Sequence, residues 1–332
     1  MSIFESFKKL QVLVIGDVMI DRYLSGKVSR ISPEAPVPIV LMQNRENRLG
    51  GAANVAMNLR ALGATPYLFS IVGRDEAGNQ LLELLPQHQL FAKGIIQSAY
   101  RKTTIKTRIL ASNQHLLRVD DEDTHDLHEQ EAARLIRDIR DFLENKEVDL
   151  ILFQDYNKGV LTDEIIRAII LEAVKRDIPT AVDPKSRNFW AYKHITLFKP
   201  NLKEIQAQLP FSLETTEAGL KEASKYIQNK LGNPYTLITL SEKGLYLDKS
   251  GAGKLMPTQE RSIVDVCGAG DTVFAIAGLG LAAQLNPSDI GLLANLAGGQ
   301  VCEKVGVVPI DVEQLAMEFE QMKKYGHLQA QR

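Results

Sequence analysis

The chain has 332 residues, enough for one large α/β domain or two ordinary ones, and its 45% hydrophobic and 24% charged composition excludes a disordered chain. A formal net charge of −2 gives no general attraction to nucleic acid or to an anionic membrane, so any phosphate chemistry has to come from local geometry. Cys267 and Cys302 lie far apart without metal-ligand spacing, which argues against a disulfide framework and for a cytoplasmic protein. The opening "MSIFESFKKLQVLVIGD" lacks a signal-peptide layout, and no apolar run approaches the roughly 20 residues of a membrane span. The expected partners are therefore small molecules, with no nucleic acid and no membrane.

In chain order, "LQVLVIG" (10–16) predicts a buried strand. Residues 23–48 contain three prolines within "PEAPVP", which forbids a helix and predicts extended, edge-like strands. "GAANVAMNLRALG" (51–63) predicts a helix closed by Gly63, followed by a strand over 66–73 and a helix over 75–85. The β-branched alternation of 95–120 predicts a hairpin, which with 23–48 forms a small sheet beside the main one, a lid. Helical patterns over 128–145, 162–176 and 217–231 then interleave with strand patterns at 148–155, 177–184, 194–201 and 234–241. Such alternation predicts an α/β chain: one domain over 1–332 with a mainly parallel sheet covered by helices on both faces, plus the lid.

The predicted strands end on Asp17, Gly73, Asp155, Asp183, Asn201 and Ser241. Each could merely cap the next helix, but six in series are better explained by a cleft beyond the carboxyl ends of the strands. Three other motifs are set aside. "SGAGKL" (250–255) lacks the first glycine and final Ser/Thr of a phosphate loop and reads as a hairpin turn; "GLGLAA" (278–283) lies inside a helix; and His125 with His128 belongs to a solvated acidic loop.

The remaining constellation centres on "DVCGAGDTVFAIAG" (265–278). Gly268, Ala269 and Gly270 precede a long apolar run that reads as a buried helix, so their amides would form an anion site with Asp271 beside it. Phosphoryl transfer to an alcohol needs those two things: neutralised charge on the moving group, and a base for the hydroxyl proton. Gly50 and Gly51 allow close backbone approach, while Asp17, Asp21 and Asn54 offer acceptors and donors suited to adjacent sugar hydroxyls.

On "GGAANVAMNLRALGATPYLFSIVG" (50–73), "DVCGAGDTVFAIAG" and "KPNLKE" (199–204), the sequence resembles the ribokinase-like (PfkB) family of carbohydrate kinases over essentially the whole chain. "GDVMIDRY", "RISPEAPVP", "NRLGGAANVAMNL", "VDPK" and "MPTQ" are more specifically similar to the kinase domain of the heptose-7-phosphate kinases. Those enzymes phosphorylate the anomeric hydroxyl of D-glycero-β-D-manno-heptose 7-phosphate on the route to ADP-heptose and lipopolysaccharide core. The expectation is a kinase half alone, without the fused adenylyltransferase found in many bacteria.

The resemblance implies a ribokinase-like three-layer sandwich that uses ATP and Mg2+. It implies Asp271 as catalytic base and Gly268, Ala269 and Gly270 as the anion hole. Asp17, Asp21, Gly50, Gly51 and Asn54 would hold the sugar, and Asn201 and Glu204 the magnesium–phosphate network through water. Ser241, Gly244 and Asn295 would line the nucleotide site, and Asp265 with Cys267 corresponds to a K+ position of some relatives. Two departures from the family bear on that position: Cys267 stands where it usually has Thr, and "GVVP" (306–309) replaces a more polar stretch. A distal phosphate would be met by cations drawn from Arg30, Lys106, Arg108, Arg118, Lys158 and Lys185. Unpaired lid strands further predict a homodimer.

Overall fold

The computed structural model describes residues 3–111 and 114–330. A short helix α1 (Ile3–Phe7) leads into β1 (Gln11–Gly16), two long strands β2 (Val18–Ile31) and β3 (Pro38–Gly51), and helix α2 (Ala52–Ala61). There follow β4 (Thr65–Gly73), α3 (Glu76–Gln87), β5 (Ile95–Ser98), β6 (Ile105–Ala111), β7 (Gln114–Asp121) and α4 (Glu129–Asn145). Strands β8 (Leu150–Gln154), β9 (Thr180–Asp183) and β10 (Leu197–Phe198) enclose α5 (Asp163–Lys175), and α6 (Leu202–Gln206) and α7 (Glu217–Leu231) follow β10. The chain closes with β11 (Tyr235–Thr239), β12 (Leu245–Lys249), β13 (Ala252–Met256), α8 (Ala269–Ala282), α9 (Pro287–Cys302) and α10 (Val312–Ala330).

The main sheet has the order β13-β12-β11-β10-β9-β8-β1-β4-β5. It is parallel from β11 to β5, with β12 and β13 added antiparallel at one edge. Its strands read as continuous apolar runs because both faces are covered. Val12 and Val14 of β1 and Leu150 and Leu152 of β8 point into a core shared with α2, α8 and α9; Leu13, Ile15, Ile151 and Phe153 point into a second core with α4, α5 and α7. Two buried layers on one sheet give the three-layer α/β sandwich that the alternation predicts.

The lid is a separate four-stranded sheet, β3-β2-β6-β7. Two boundaries differ from the expectation. The lid begins at Val18, directly after β1, because the chain turns out of the main sheet there rather than at residue 23. Residues 95–98 are not lid at all: β5 pairs parallel with Ser70–Gly73 of β4 and forms the edge of the main sheet. "SGAGKL" is the β12–β13 hairpin, with Ser250 and Gly251 at positive φ in its turn, and "GLGLAA" runs through the end of α8. Among the described residues no helix is long and apolar enough to cross a membrane.

Candidate active site

Helix α8 starts where the glycines allow it to. Gly268 is its N-cap at φ 79°, a left-handed conformation, and a Cβ there would stand 2.9 Å from Asn54 Nδ2. Gly51, the N-cap of α2, is likewise left-handed at φ 60°, and a Cβ would collide with the Asp17 carbonyl. The two helix N-termini are thereby brought together, joined by Asn54 in the first turn of one and Asp271 in the first turn of the other. Gly270 differs: a Cβ there would meet no atom within 4 Å, so its face of the α8 N-terminus opens onto free space. Early amides of a helix have no intrahelical acceptor and carry the positive end of its dipole.

Asp271 is 4% exposed, and its carboxylate is held from three sides. Asn54 Nδ2 donates to Oδ2 at 2.7 Å, while the Tyr156 hydroxyl at 2.7 Å and Gln154 Nε2 at 3.2 Å both donate to Oδ1. A carboxylate offers about four lone-pair sites, so roughly one remains to accept a further proton. Burial pushes the Asp271 carboxyl up to about 6, with help from the charges of Asp183 and Asp21, and the Asn54 and Tyr156 hydrogen bonds pull the other way. The group is ionised at neutral pH and basic enough to take a proton from a neighbouring hydroxyl.

The expected sugar residues divide. Asn54 is fully buried and bonded to Asp271, and Gly50 lies against Asp21 so closely that a Cβ would overlap Asp21 Oδ2. Asp21 forms a buried ion pair with Arg108 of β6 across the lid. Asp17 has a different occupation. Its Oδ2 accepts the amides of Tyr156 (2.8 Å) and Lys158 (3.1 Å), and its Oδ1 that of Val160 (3.1 Å). Burial pushes its carboxyl up and these amides pull it down. Asp17 is therefore the anchor of the loop after β8, and a direct grip on sugar hydroxyls is not what its geometry favours.

Among the expected cations, Lys158 bonds Glu122 Oε1 at 2.5 Å, Arg118 bonds Asp120 at 2.9 Å, Lys185 is paired with Glu204, and Arg108 with Asp21. Arg30 is exposed near the end of β2. Lys106 of β6 makes no ion pair among the described residues; its Nζ lies 5.3 Å from the centre of the Tyr156 ring. Burial, with the nearby Lys158 charge, holds the Lys106 ammonium below its ordinary range.

The nucleotide-side residues also have local structural jobs. Asn201 and Glu204 form a capping box on α6: Asn201 Oδ1 accepts the Glu204 amide at 2.9 Å and Glu204 Oε2 accepts the Asn201 amide at 2.8 Å. Glu204 Oε1 faces Lys185, so each carboxylate oxygen keeps a lone pair for a water-borne metal contact, and the pair fits Mg2+ held through water. Ser241 (φ 55°) and Gly244 (φ 91°) flank a short 3-10 turn packed on the end of β13, and Asn295 of α9 donates to the carbonyls of Met256 (3.3 Å) and Pro257 (2.7 Å) there. These three residues converge on one segment. Asp265 is less open: Oδ1 accepts the Cys267 amide at 3.0 Å, Oδ2 accepts the Gly306 amide at 2.9 Å, and His115 Nε2 of the lid stands 3.5 Å away. A monovalent cation approaching Oδ2 would compete with His115.

Two residues beside Asp271 have no counterpart among the expected site residues, Gln154 and Tyr156. A buried glutamine ending a strand and a tyrosine two residues on, in "QDYNKG", are the only trace of them in the sequence.

The sequence matches the model of the pfkB family carbohydrate kinases over residues 9–314. The bifunctional protein HldE of Campylobacter curvus is 38% identical over 300 residues, 90% of this chain and 63% of that protein. HldE of Magnetococcus marinus is 40% identical over 314 residues, 93% of this chain and 64% of that protein. The chain thus spans less than two thirds of the length of these curated relatives. Phosphofructokinase-2 from Escherichia coli in complex with potassium superposes with a TM-score of 0.79 at 19% identity, covering 95% of this chain and 99% of that one. Ribokinase of Arabidopsis thaliana complexed with ribose and ATP superposes at 0.71 and 16% identity, covering 93% and 98%. With the ribokinase-like sandwich, the glycine-capped helix and the buried Asp271 in view, the chain belongs to the pfkB family of carbohydrate kinases and is an ATP-dependent sugar kinase.

Proposed function

We propose that this kinase phosphorylates the anomeric hydroxyl of D-glycero-β-D-manno-heptose 7-phosphate, giving the 1,7-bisphosphate in the cytoplasm. The observation that carries the reading is Asp271, ionised, buried and with about one lone pair unfilled, in the first turn of a helix whose Gly270 face is open. Asp271 accepts the proton of the acceptor hydroxyl as its oxygen bonds to the terminal phosphorus of ATP; the bond from that phosphorus to the leaving ADP oxygen breaks. The amides of Gly268 and Gly270 neutralise charge on the moving group; that of Ala269, expected to join them, is shared with the Val266 carbonyl at 3.4 Å. Mg2+, held through water by Asn201 and Glu204, supplies further charge neutralisation when bound. Asp21, Asn54 and the Gly50–Gly51 turn form the wall against which the sugar rests, with Asp17 supporting it through the loop it anchors.

The choice of a phosphorylated sugar rests on the resemblance of "RISPEAPVP" and "GDVMIDRY" to the heptose-7-phosphate kinases, and on Lys106. It is a partly buried ammonium without a carboxylate partner among the described residues, one aromatic ring away from Asp271, and so available to a distal phosphate. A charge-assisted contact contributes roughly 1.5–3 kcal/mol, so Lys106→Ala should raise KM for the 7-phosphate about tenfold or more and leave the poor reaction with an unphosphorylated sugar unchanged. A coupled ADP-release assay over sugar 7-, 6- and 1-phosphates, with wild type and variant, tests both parts. Preference for another phosphate or a plain sugar, or an equal loss on both substrates, overturns the choice and leaves a kinase for another sugar.

The lid exposes Leu41, Leu117 and Val119, among other apolar side chains, and we read this face as the contact of a homodimer. Light scattering at micromolar concentration tests that. If a monovalent cation binds at Asp265, potassium should raise activity in a sodium-buffered assay and His115→Ala should strengthen the effect.

A further inference from the structure

The loop after β8 is built more rigidly than a connection of its length needs to be. Asp17 gathers the amides of residues 156, 158 and 160, while Asp155 accepts the Asn157 amide at 2.8 Å and the Tyr192 hydroxyl at 2.9 Å. Asn157 is held at φ 54° and Gly159 at φ 85°, where a Cβ would run into the His125 carbonyl. All these contacts fix one exposed-looking motif, "DYNK", and what they deliver into the cleft is the Tyr156 side chain. Two ammonium groups stand over its ring, Lys106 at 5.3 Å and Lys185 at 5.6 Å from the centroid, and its hydroxyl ends on Asp271. Loop strain and two buried carboxylates have been used to place a single phenol.

We propose that Tyr156 is a positioning residue for Asp271, its hydroxyl fixing Oδ1 so that the unfilled lone pair faces the acceptor hydroxyl, with Gln154 as the weaker second holder. The inference rests on the reading of Asp271 as the base. Direction is unambiguous: the phenol is buried beside a carboxylate, which raises its own titration far above the ordinary tyrosine range, so it stays a donor throughout the working pH. Gln154 is oriented by the same logic. Its Nε2 lies between Asp271 Oδ1 (3.2 Å) and Asp183 Oδ2 (3.4 Å), and the reverse orientation would put its carbonyl against two carboxylates.

A donated hydrogen bond to the ionised form lowers a carboxyl's titration, and Asp271 must be ionised to act. Removing the phenol therefore moves the acid limb of kcat/KM upward. The other groups around Asp271 stay in place: Asn54 from α2, Asp21 from the lid, Asp183, Lys185 and Lys199 from the β9–β10 side, and Lys106 across the ring. The shift can thus be assigned to the hydroxyl.

The test is the pH profile of purified wild type, Tyr156→Phe and Gln154→Met, with thermal melting of each and with Asp271→Asn as the reference. For Tyr156→Phe we expect the acid limb to rise by about one pH unit, the size of a single charge-assisted hydrogen bond, with kcat falling at least severalfold at the plateau. Gln154→Met should move the limb the same way by less. A Tyr156→Phe variant that melts normally and keeps the wild-type acid limb overturns the inference, since loss of packing alone lowers the plateau without moving the limb. Failure of the underlying reading looks different: there Asp271→Asn itself retains turnover. Should Tyr156→Phe melt low, Gln154→Met decides, because it removes a donor from the same oxygen without touching the loop.

Discussion

The main sheet and the lid use the same strand-forming residues to different ends. In the main sheet both faces are sealed by helices, and Asp271, the proposed base, sits at the end of that sealed structure, on a helix buried nearly all round. The lid is covered by helix only at its base, where Gln80 of α3 accepts from Arg22 of β2 and Asn47 of β3; β7 is exposed along its whole length, and much of β2 and β3 faces outward. It meets the body through Arg48 on the carbonyls of Val305 and Val307 and the Tyr23 hydroxyl accepting the Val307 amide, whereas the Arg108–Asp21 pair ties two lid strands together. A carboxylate that must keep its geometry to a fraction of an ångström is best carried by the sealed part, and on the proposed function residues such as Lys106, which would choose among sugars, sit on the more exposed part. On the proposed function, chemistry would fall to the body and the choice of a phosphorylated sugar to the lid.

The division breaks if substitutions on the two sides behave alike. Asp271→Asn, on the body, should bind ATP and sugar normally yet lose at least about 100-fold in kcat, and wild-type activity should fall away below about pH 6 as the base is protonated. Turnover near that of wild type would remove Asp271 as the base. Asp17→Ala should act on the fold, because three amides lose their buried acceptor: a loss of about 3 kcal/mol or more in urea unfolding, with ATP and sugar binding falling together. Sugar binding lost alone, at unchanged stability, would return Asp17 to direct contact with substrate.

How much of this was legible in the sequence follows from what each residue touches. The strands and helices were legible because their apolar periods reflect two buried faces, and Asp271 was legible because glycines before an apolar run specify a helix N-terminus locally. Asn201 and Glu204 were legible in a second way: Asn-x-x-Glu at a helix start is a capping-box pattern, and the structure forms that box. Asp17 was not, since its partners are backbone amides more than 130 residues away, and an amide leaves no residue-type signature. Tyr156 was hidden for a related reason. Its importance lies in a hydroxyl that meets Asp271 only after β8 and α8 are packed on the same sheet. The extent of the lid was misjudged where β5, four residues long, leaves for the main-sheet edge; a strand that short carries no period to say which sheet it joins.

The smallest effect gives the finest test, because it asks whether a glycine in α8 is kept for folding or for function. Gly270 is the second residue of that helix, exposed, and a methyl group there would touch nothing within 4 Å. On folding grounds alanine should be better, since it loses less backbone entropy and favours the helix, so Gly270→Ala should gain up to about 1 kcal/mol in chemical unfolding. On functional grounds it should be worse. The added carbon stands in the open space that a phosphoryl group must enter to reach the amides, so kcat/KM for ATP should drop several-fold while sugar binding is unchanged. Higher stability with lower activity would show that the α8 N-terminus is shaped by an anion. Higher stability with full activity would mean that the transferred group approaches elsewhere, and that Gly268 alone, needed for its left-handed turn beside Asn54, accounts for the glycines before Asp271.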